Sequence, residues 1–205
     1  MVISYFGGQC FKITQGELTI AFNPPSKDSK LKSVRFGSDI VLVSQDHPDF
    51  NGAENMKYGE RDPFIITGPG EYEIKGIAVR GFSSPSQLGG EHLNTIYSVL
   101  LEGTNLCFLG AVGSTTLPPA AKQELDDIDI LFVPVGGDGV LDHSEAYKLA
   151  VGLEPKAIIP MHYTPESLKA FLKEASAEEV KPIEKLTTKK KELEGKEAEI
   201  IVIES

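Results

Sequence analysis

The residues with the most chemical capacity are a polar run, Ser44, Gln45, Asp46, His47, Pro48 and Asp49, and a distant His162. Imidazole nitrogens and carboxylate oxygens are the donors that a divalent metal or a general base requires, and a catalytic zinc needs about three such ligands plus water. Both groups follow apolar runs, so a rigid strand would fix them. Taken alone, a His or Asp at a strand end is as commonly a loop residue satisfied by local hydrogen bonds. The other histidines, His92 in a Ser/Gly-rich segment and His143 in the first turn of a helix, are expected to face solvent. Asp46, Asp138 and Asp142 are carboxylates that could join a rebuilt site, although 136–139 (Gly-Gly-Asp-Gly) also reads as a turn. No nucleophile elbow, phosphate-binding loop or dinucleotide fingerprint is present, so nucleophilic and nucleotide-binding alternatives lack support.

The elements that must position these residues are legible from periodicity. Residues 39–43 form an apolar, β-branched run that reads as a strand buried on both faces, ending in the polar cluster. Short strands are expected over 2–6, 9–14, 18–22 and 64–67, the third ending at Asn23 and two prolines. Residues 71–80 alternate polar and apolar as one half-exposed strand should, and 81–93 read as a surface loop. A hairpin is expected over 94–101 and 105–109, a helix over 120–125 after two prolines, and buried strands over 129–134 and 156–161. Asp142 and Glu145 form a capping box for a helix whose Ala146, Leu149, Ala150 and Leu153 share one face. Thr164 caps another helix, with Pro165 at its first position. The lysines at 189–191 read as a solvated hairpin, neutralised by Glu192, Glu194 and Glu197.

The run at 44–50 resembles the signature loop of the metallo-β-lactamase superfamily, Thr/Ser-His-x-His-x-Asp-His. Ser44, His47 and Asp49 match it, while Gln45 and Phe50 stand where histidines are expected. The segments 68–73, 94–97, 134–137 and 159–163 resemble the Zn-dependent hydrolase-like branch related to L-ascorbate-6-phosphate lactonase. The resemblance implies an α/β (α+β) fold, a four-layered αββα sandwich, with a dinuclear metal site along one edge of the sheets. It also implies a ligand set. Gln45, His47 and Phe108 occupy the positions that hold the first metal, Asp49, Phe50 and His162 those of the second, and Ala111 that of the bridging Asp. Asn23 stands where the family has an Asp before Pro. Only His47, Asp49 and His162 keep ligating side chains, and a Phe has no lone pair to donate. A hydrogen-bonded cluster of His47, Asp49 and His162, made by a ring N–H donated to Asp49 or through a bridging water and flanked by Phe50 and Phe108, is therefore expected in place of metal.

Length and composition fit one domain over residues 1–205, with mainly 2–101 in one sheet and 105–203 in another. The net charge of -10 and pI near 4.9 disfavour nucleic acid as a partner. No apolar run reaches the length of a membrane span, no basic leader region is visible, and Cys10 and Cys107 lack metal or redox spacing. A cytoplasmic protein with reduced cysteines is expected. Three functional readings follow. The first is a non-catalytic binding or scaffolding module with no expected cofactor. The second is a residual hydrolase of an ester, lactone or phosphoester, with zinc or another divalent metal on His47, Asp49 and His162. The third is a homo-oligomer whose neighbour completes the site.

Overall fold

The computed structural model describes residues 1–60 and 62–205. The chain opens with β1 (Val2–Tyr5), β2 (Phe11–Gln15) and β3 (Leu18–Phe22), an antiparallel meander, and adds β4 (Ile40–Leu42) and β5 (Phe64–Ile66) parallel to β3. A second sheet begins with β6 (Gly70–Ile74), β7 (Ile77–Ser86), β8 (His92–Leu101) and β9 (Thr104–Phe108), all antiparallel. It continues with β10 (Ile130–Pro134) and β11 (Ala157–Met161), both parallel to β9. The tail strands β12 (Leu186–Thr187) and β13 (Glu199–Ile200) then add to β1 and β11 respectively. The result is a six-stranded and a seven-stranded sheet.

Their facing surfaces bury one aromatic and aliphatic core. Phe11, Phe22, Phe108 and Phe132 are fully buried there, with Phe22 stacked on Phe108 at 4.6 Å between ring centroids. Alternation in β1 and β2 sends Ile3, Tyr5, Phe11 and Ile13 inward, as period-two geometry requires. β4, β10 and β11 are buried at every residue, which is why they read as unbroken apolar runs.

Helices α1 (Pro119–Glu124), α2 (His143–Gly152) and α3 (Pro165–Glu174) cover the outer face of the second sheet, where Ala121, Leu149, Ala150 and Phe171 join its apolar surface. Both expected caps form, the second also as a capping box. Asp142 accepts from the Glu145 N–H at 2.8 Å, and the Thr164 hydroxyl accepts from the Ser167 N–H at 3.2 Å. The first sheet's outer face is closed by a 3-10 turn over Ala53–Met56, with Ala21, Val41 and Val43 beneath it. The layer order is αββα, with the first α layer reduced to that turn.

Several sequence expectations change. Residues 71–80 are two strands, because Lys75 and Gly76 adopt φ of 52° and 77° and turn the chain back on itself. The polar–apolar alternation continues through both arms and conceals the turn. Residues 81–93 are mostly ladder, paired out to Ser86 opposite His92, with the Ser84 hydroxyl buried and bonded to Asn94. The sheets divide near residue 67 rather than at 101, since β6, β7 and β8 belong to the second sheet. The tail lysines do not form a hairpin. They lie at the short helix α4 (Lys190–Leu193) between strands of different sheets.

One buried charge ties the parallel strands together. The Asp129 carboxylate, fully buried ahead of β10, accepts from Lys156 Nζ at 2.6 Å and from the Asn105 N–H at 2.7 Å, with Lys190 at 3.4 Å. Burial pushes this carboxyl up, but those donors outweigh it and hold it below the ordinary aspartate range. The same hydrogen bond raises Lys156. Lys156→Met is expected to cost about 1–2 kcal/mol, at the low end for such pairs because the ammonium still touches solvent and Lys190 remains. A lowered Asp stabilises above its unfolded pKa and loses that contribution as pH falls through the native value. A raised Lys stabilises below its unfolded pKa and loses it as pH rises through the native value. Urea unfolding should therefore separate wild type from variant across the neutral range, with the gap closing at strongly acid and strongly alkaline pH.

Candidate functional site

The polar residues cluster where the parallel strands of both sheets end. Asn23 directly follows β3, Ser44 lies two residues past β4, Gly110 and Ala111 lie two and three residues past β9, and His162 directly follows β11. Strand-end loops must satisfy backbone groups that the ladder no longer pairs. Here two fully buried amides do so. Asn23, at φ 42°, accepts the Ser44 N–H on Oδ1 at 2.8 Å and donates from Nδ2 to Ser44 Oγ at 2.8 Å and to Gln9 Oε1 at 2.9 Å. Asn94 accepts the Ala111 N–H at 2.8 Å and donates to Leu109 O and Ser84 Oγ, each at 2.9 Å. The Thr95 N–H reaches Ser44 O at 2.7 Å and the Tyr97 hydroxyl reaches Val43 O at 2.8 Å, which pins the end of β4 to the opposite sheet. Gly110 sits at this junction with φ +63°. A Cβ there would fall 2.3 Å from Asn94 Oδ1 and 2.7 Å from Ser44 Cβ, so only glycine fits.

The residues singled out in the sequence lie around this frame. His47 and Asp49 are half-buried, and His47 Nδ1 accepts the Asp49 N–H at 3.2 Å while standing 3.9 Å from its carboxylate. Asp49 accepts a hydrogen bond from the Ser29 hydroxyl. His162, at φ 53°, donates its N–H to Gly8 O at 2.6 Å, and its Nδ1 accepts from Gln9 Nε2 at 3.3 Å. Its carbonyl fixes Gly136, where a Cβ would lie 2.0 Å away. Burial lowers the His162 ring below the usual histidine range, against the pull of the Asp49 carboxylate. Asp49, Asp138 and His162 line one small cleft of about 250 Å3.

Of the two expected forms of the cluster, the direct one, a histidine ring N–H donated to the Asp49 carboxylate, does not form. Ser29 supplies the donor to Asp49 and Gln9 the donor to His162, so each group is satisfied from outside the trio. Phe50 is fully buried and in ring contact with both histidines, at 5.3 Å from His47 and 6.1 Å from His162, and packs with Ala111 and Val140. Phe108 does not flank the cluster as expected, because its ring turns into the inter-sheet core. Gln45 is 2% exposed and donates from Nε2 to Leu88 O at 2.8 Å.

Of the remaining polar residues, Asp46 accepts from Asn51 at 2.6 Å, Asp142 serves its helix cap, and Asp138 lies at φ 57° in the expected turn. His92 is exposed; His143 is half-buried rather than solvent-facing. Cys10 and Cys107 are free and buried. Desolvation pushes the Cys10 thiol up to about 12 and raises Cys107 as well, so neither is a poised nucleophile. Among the described residues, no group of three or more His, Cys, Asp or Glu stands close enough to hold a metal ion, and no helix is long and apolar enough to cross a membrane.

Sequence reasoning missed Gln9 and Ser29, which lie far from the signature run and carry no spacing signal. Asn94 begins one of the matching segments, so its position was visible though its role was not.

Residues 2–162 match the family described as "Beta-lactamase superfamily domain". A UPF0173 metal-dependent hydrolase of Carboxydothermus hydrogenoformans is 27% identical over 194 residues, covering 80% of this chain and 84% of that one. A UPF0173 protein of Pyrococcus furiosus is 27% identical over 188 residues, covering 80% and 83%. Among solved structures, a Thermotoga maritima protein described as a Zn-dependent hydrolase of the metallo-beta-lactamase superfamily superposes with a TM-score of 0.79 at 28% identity, covering 98% of this chain and 97% of that one.

The Asn94 junction generates a stability prediction. Asn94→Ala would leave the Ala111 N–H and the Leu109 carbonyl buried without partners and the Ser84 hydroxyl with only its 3.4 Å bond to the Asn94 backbone carbonyl, at an expected cost of about 3 kcal/mol. Thermal unfolding should show a fall of roughly 6–12 °C for a chain of this size.

Proposed function

Because the chain belongs to the β-lactamase superfamily, we propose that it is a member that has exchanged its dinuclear metal centre for apolar packing and now acts as a binding module. The observation that carries this reading is Phe50, a fully buried ring in contact with both His47 and His162. A ring with no lone pair occupies volume beside the histidines that a hydrated cation would need. The remaining donors do not fit two metals. Gln45 spends its amide N–H on Leu88 and offers only a neutral carbonyl, a weak zinc ligand beside imidazole. Ala111 has no donor atom in its side chain, and Phe108 is stacked on Phe22. Asp49 and His162 are held by Ser29 and Gln9, an arrangement complete without a cation. No hydrolytic step is assigned to this arrangement.

Elemental analysis of protein purified without chelators is expected to find well under one zinc, iron or manganese per chain. Stoichiometric metal that survives dialysis and disappears in His162→Ala would reverse the proposal in favour of a mononuclear hydrolase on His47, Asp49 and His162. The converse experiment rebuilds the donors with Gln45→His, Phe50→His, Phe108→His and Ala111→Asp together. The variant is expected to gain metal and to lose several kcal/mol of stability, since removing a buried Phe costs about 3–5 kcal/mol where truncation leaves a cavity. A folded variant that takes up no metal would show that the loop no longer holds the ligand geometry.

A further inference from the structure

A cleft of about 380 Å3 opens at the end of the sandwich away from His47 and His162. β1 starts and β2 ends there, whereas the loop between them carries Gly8, whose carbonyl takes the His162 N–H at the other end. The β8–β9 turn and the start of α4 complete its walls. Its size falls in the range of cavities that hold small molecules.

The charge around this cleft runs against that of the chain. Lys189, Lys190 and Lys191 all line it, in a protein of net charge -10. The glutamates expected to neutralise them do not. Glu192 spends a carboxylate oxygen on the Lys189 backbone N–H at 3.1 Å, and among the described residues Lys189 and Lys191 have no carboxylate partner. Lys190 differs, since its Nζ donates to Gly103 O and stands 3.4 Å from Asp129. Glu102 is the one carboxylate in the described lining, and Gln15 Nε2 already engages it. Three ammoniums therefore open onto one cavity, two of them without a counter-charge, and like charges repel unless an anion sits among them.

Exposed lysines are ordinarily just solvated. What sets these apart is the floor beneath them. Thr104 is 2% exposed and lies on the inter-sheet side of β9, the side that Leu106 and Phe108 share. Its hydroxyl has no hydrogen-bond partner among the described residues. The buried, unpartnered side-chain oxygens that are sealed from solvent are Ser38 Oγ and Gln45 Oε1, so the Thr104 hydroxyl is reached from the cleft it lines. A hydroxyl so nearly buried and left without a partner is costly, and a ligand oxygen would supply the acceptor it lacks.

We propose that this cleft binds a small organic dianion, a phosphomonoester or a dicarboxylate. Such a ligand presents acceptors, while the Lys189 and Lys191 ammoniums and the Thr104 hydroxyl present donors. Two negative charges match the two lysines that lack a counter-charge. A cation would meet three ammoniums, and a neutral polyol would leave them unpaired. Nucleic acid would carry its remaining phosphates over an acidic chain. The inference goes beyond the binding-module reading and does not rest on it, because this cleft shares no lining residue with the one beside His162.

The test titrates glycerol phosphate and succinate into the full chain by calorimetry at low and physiological salt, with sorbitol and putrescine as neutral and cationic comparisons. Saturable one-to-one binding of a dianion is expected, and the tighter of the two assigns phosphomonoester or dicarboxylate. Lys189→Gln with Lys191→Gln should weaken it about tenfold, the effect of removing two solvent-facing charges. Thr104→Val should weaken it about fivefold, and Thr104→Ser, which keeps the hydroxyl, should restore it. The lysine pair decides the outcome if the valine variant fails to fold. Lys169→Gln with Lys173→Gln, both exposed on α3 and outside the cleft, removes the same charge and should leave binding unchanged. The proposal is overturned if neither dianion binds saturably, if the lysine pair has no effect, if the α3 pair weakens binding equally, or if sorbitol or putrescine binds more tightly.

Discussion

Everything at the functional edge hangs on the backbone of Ser44. Its N–H goes to Asn23, its carbonyl to Thr95 of the opposite sheet, and its hydroxyl accepts from the Asn23 amide. β4 is only three residues long and lies among buried neighbours, so its end needs external partners once the ladder stops. These partners come from β3 on one side and β8 on the other. The loop carrying His47 and Asp49 is therefore aimed by two buried amides whose own positions are set by separate sheets. In a low-dielectric interior, such a network is valuable when complete and expensive when a member is removed.

The charge on the edge is handled in a different way from the charge on Asp129. Asp129 is fully buried and meets it with two lysines and a backbone N–H. Asp49 is only half-buried, and a single hydroxyl with a histidine 3.9 Å away suffices. The difference follows from desolvation. A carboxylate deep between strands must be matched by donors of opposite charge, while one at an open cleft keeps part of its hydration. For that reason a lone carboxylate and an imidazole can coexist at this edge with no direct hydrogen bond between their side chains.

How much of this was legible in the sequence depends on the range of the interaction concerned. The buried runs of β4, β10 and β11, the Asp142 and Thr164 caps, and the layered fold follow from local periodicity and short spacings, which a single chain displays. The Lys75–Gly76 turn was hidden because alternation runs unbroken through it, and the ladder at 81–86 was hidden by its Ser and Pro content, although Ser84 is buried and bonded to Asn94. At the site, Phe50 touches His47 and His162, and His47 stands 3.9 Å from the Asp49 carboxylate. The actual partners of Asp49 and His162 were not visible, because Gln9 is 153 residues from His162 and Ser29 is 20 from Asp49. Nothing in composition or spacing links such pairs. Phe108 was misplaced for a related reason: its strand position was right, but the direction of its ring is decided by Phe22 across the sandwich.

The frame and the side chains mounted on it are separable in this fold. Ala111 enters the polar lattice only through its backbone N–H, and Gly110 through its lack of a side chain, so neither requires a ligating group at 111. Gln45 bonds sideways to Leu88, and Asn23 holds Ser44 with neutral amide groups that need no cation nearby. Phe50 and Ala111 form a small apolar cluster with Val140 at this edge, packing that the hydrophobic effect favours. A scaffold that draws its rigidity from Asn23, Ser44 and Asn94 holds the loop's position whatever side chains stand at 45, 50 and 111. The result is a well-fixed rim between two sheets, and that is the physical requirement for recognising a small molecule whether or not any bond is broken there.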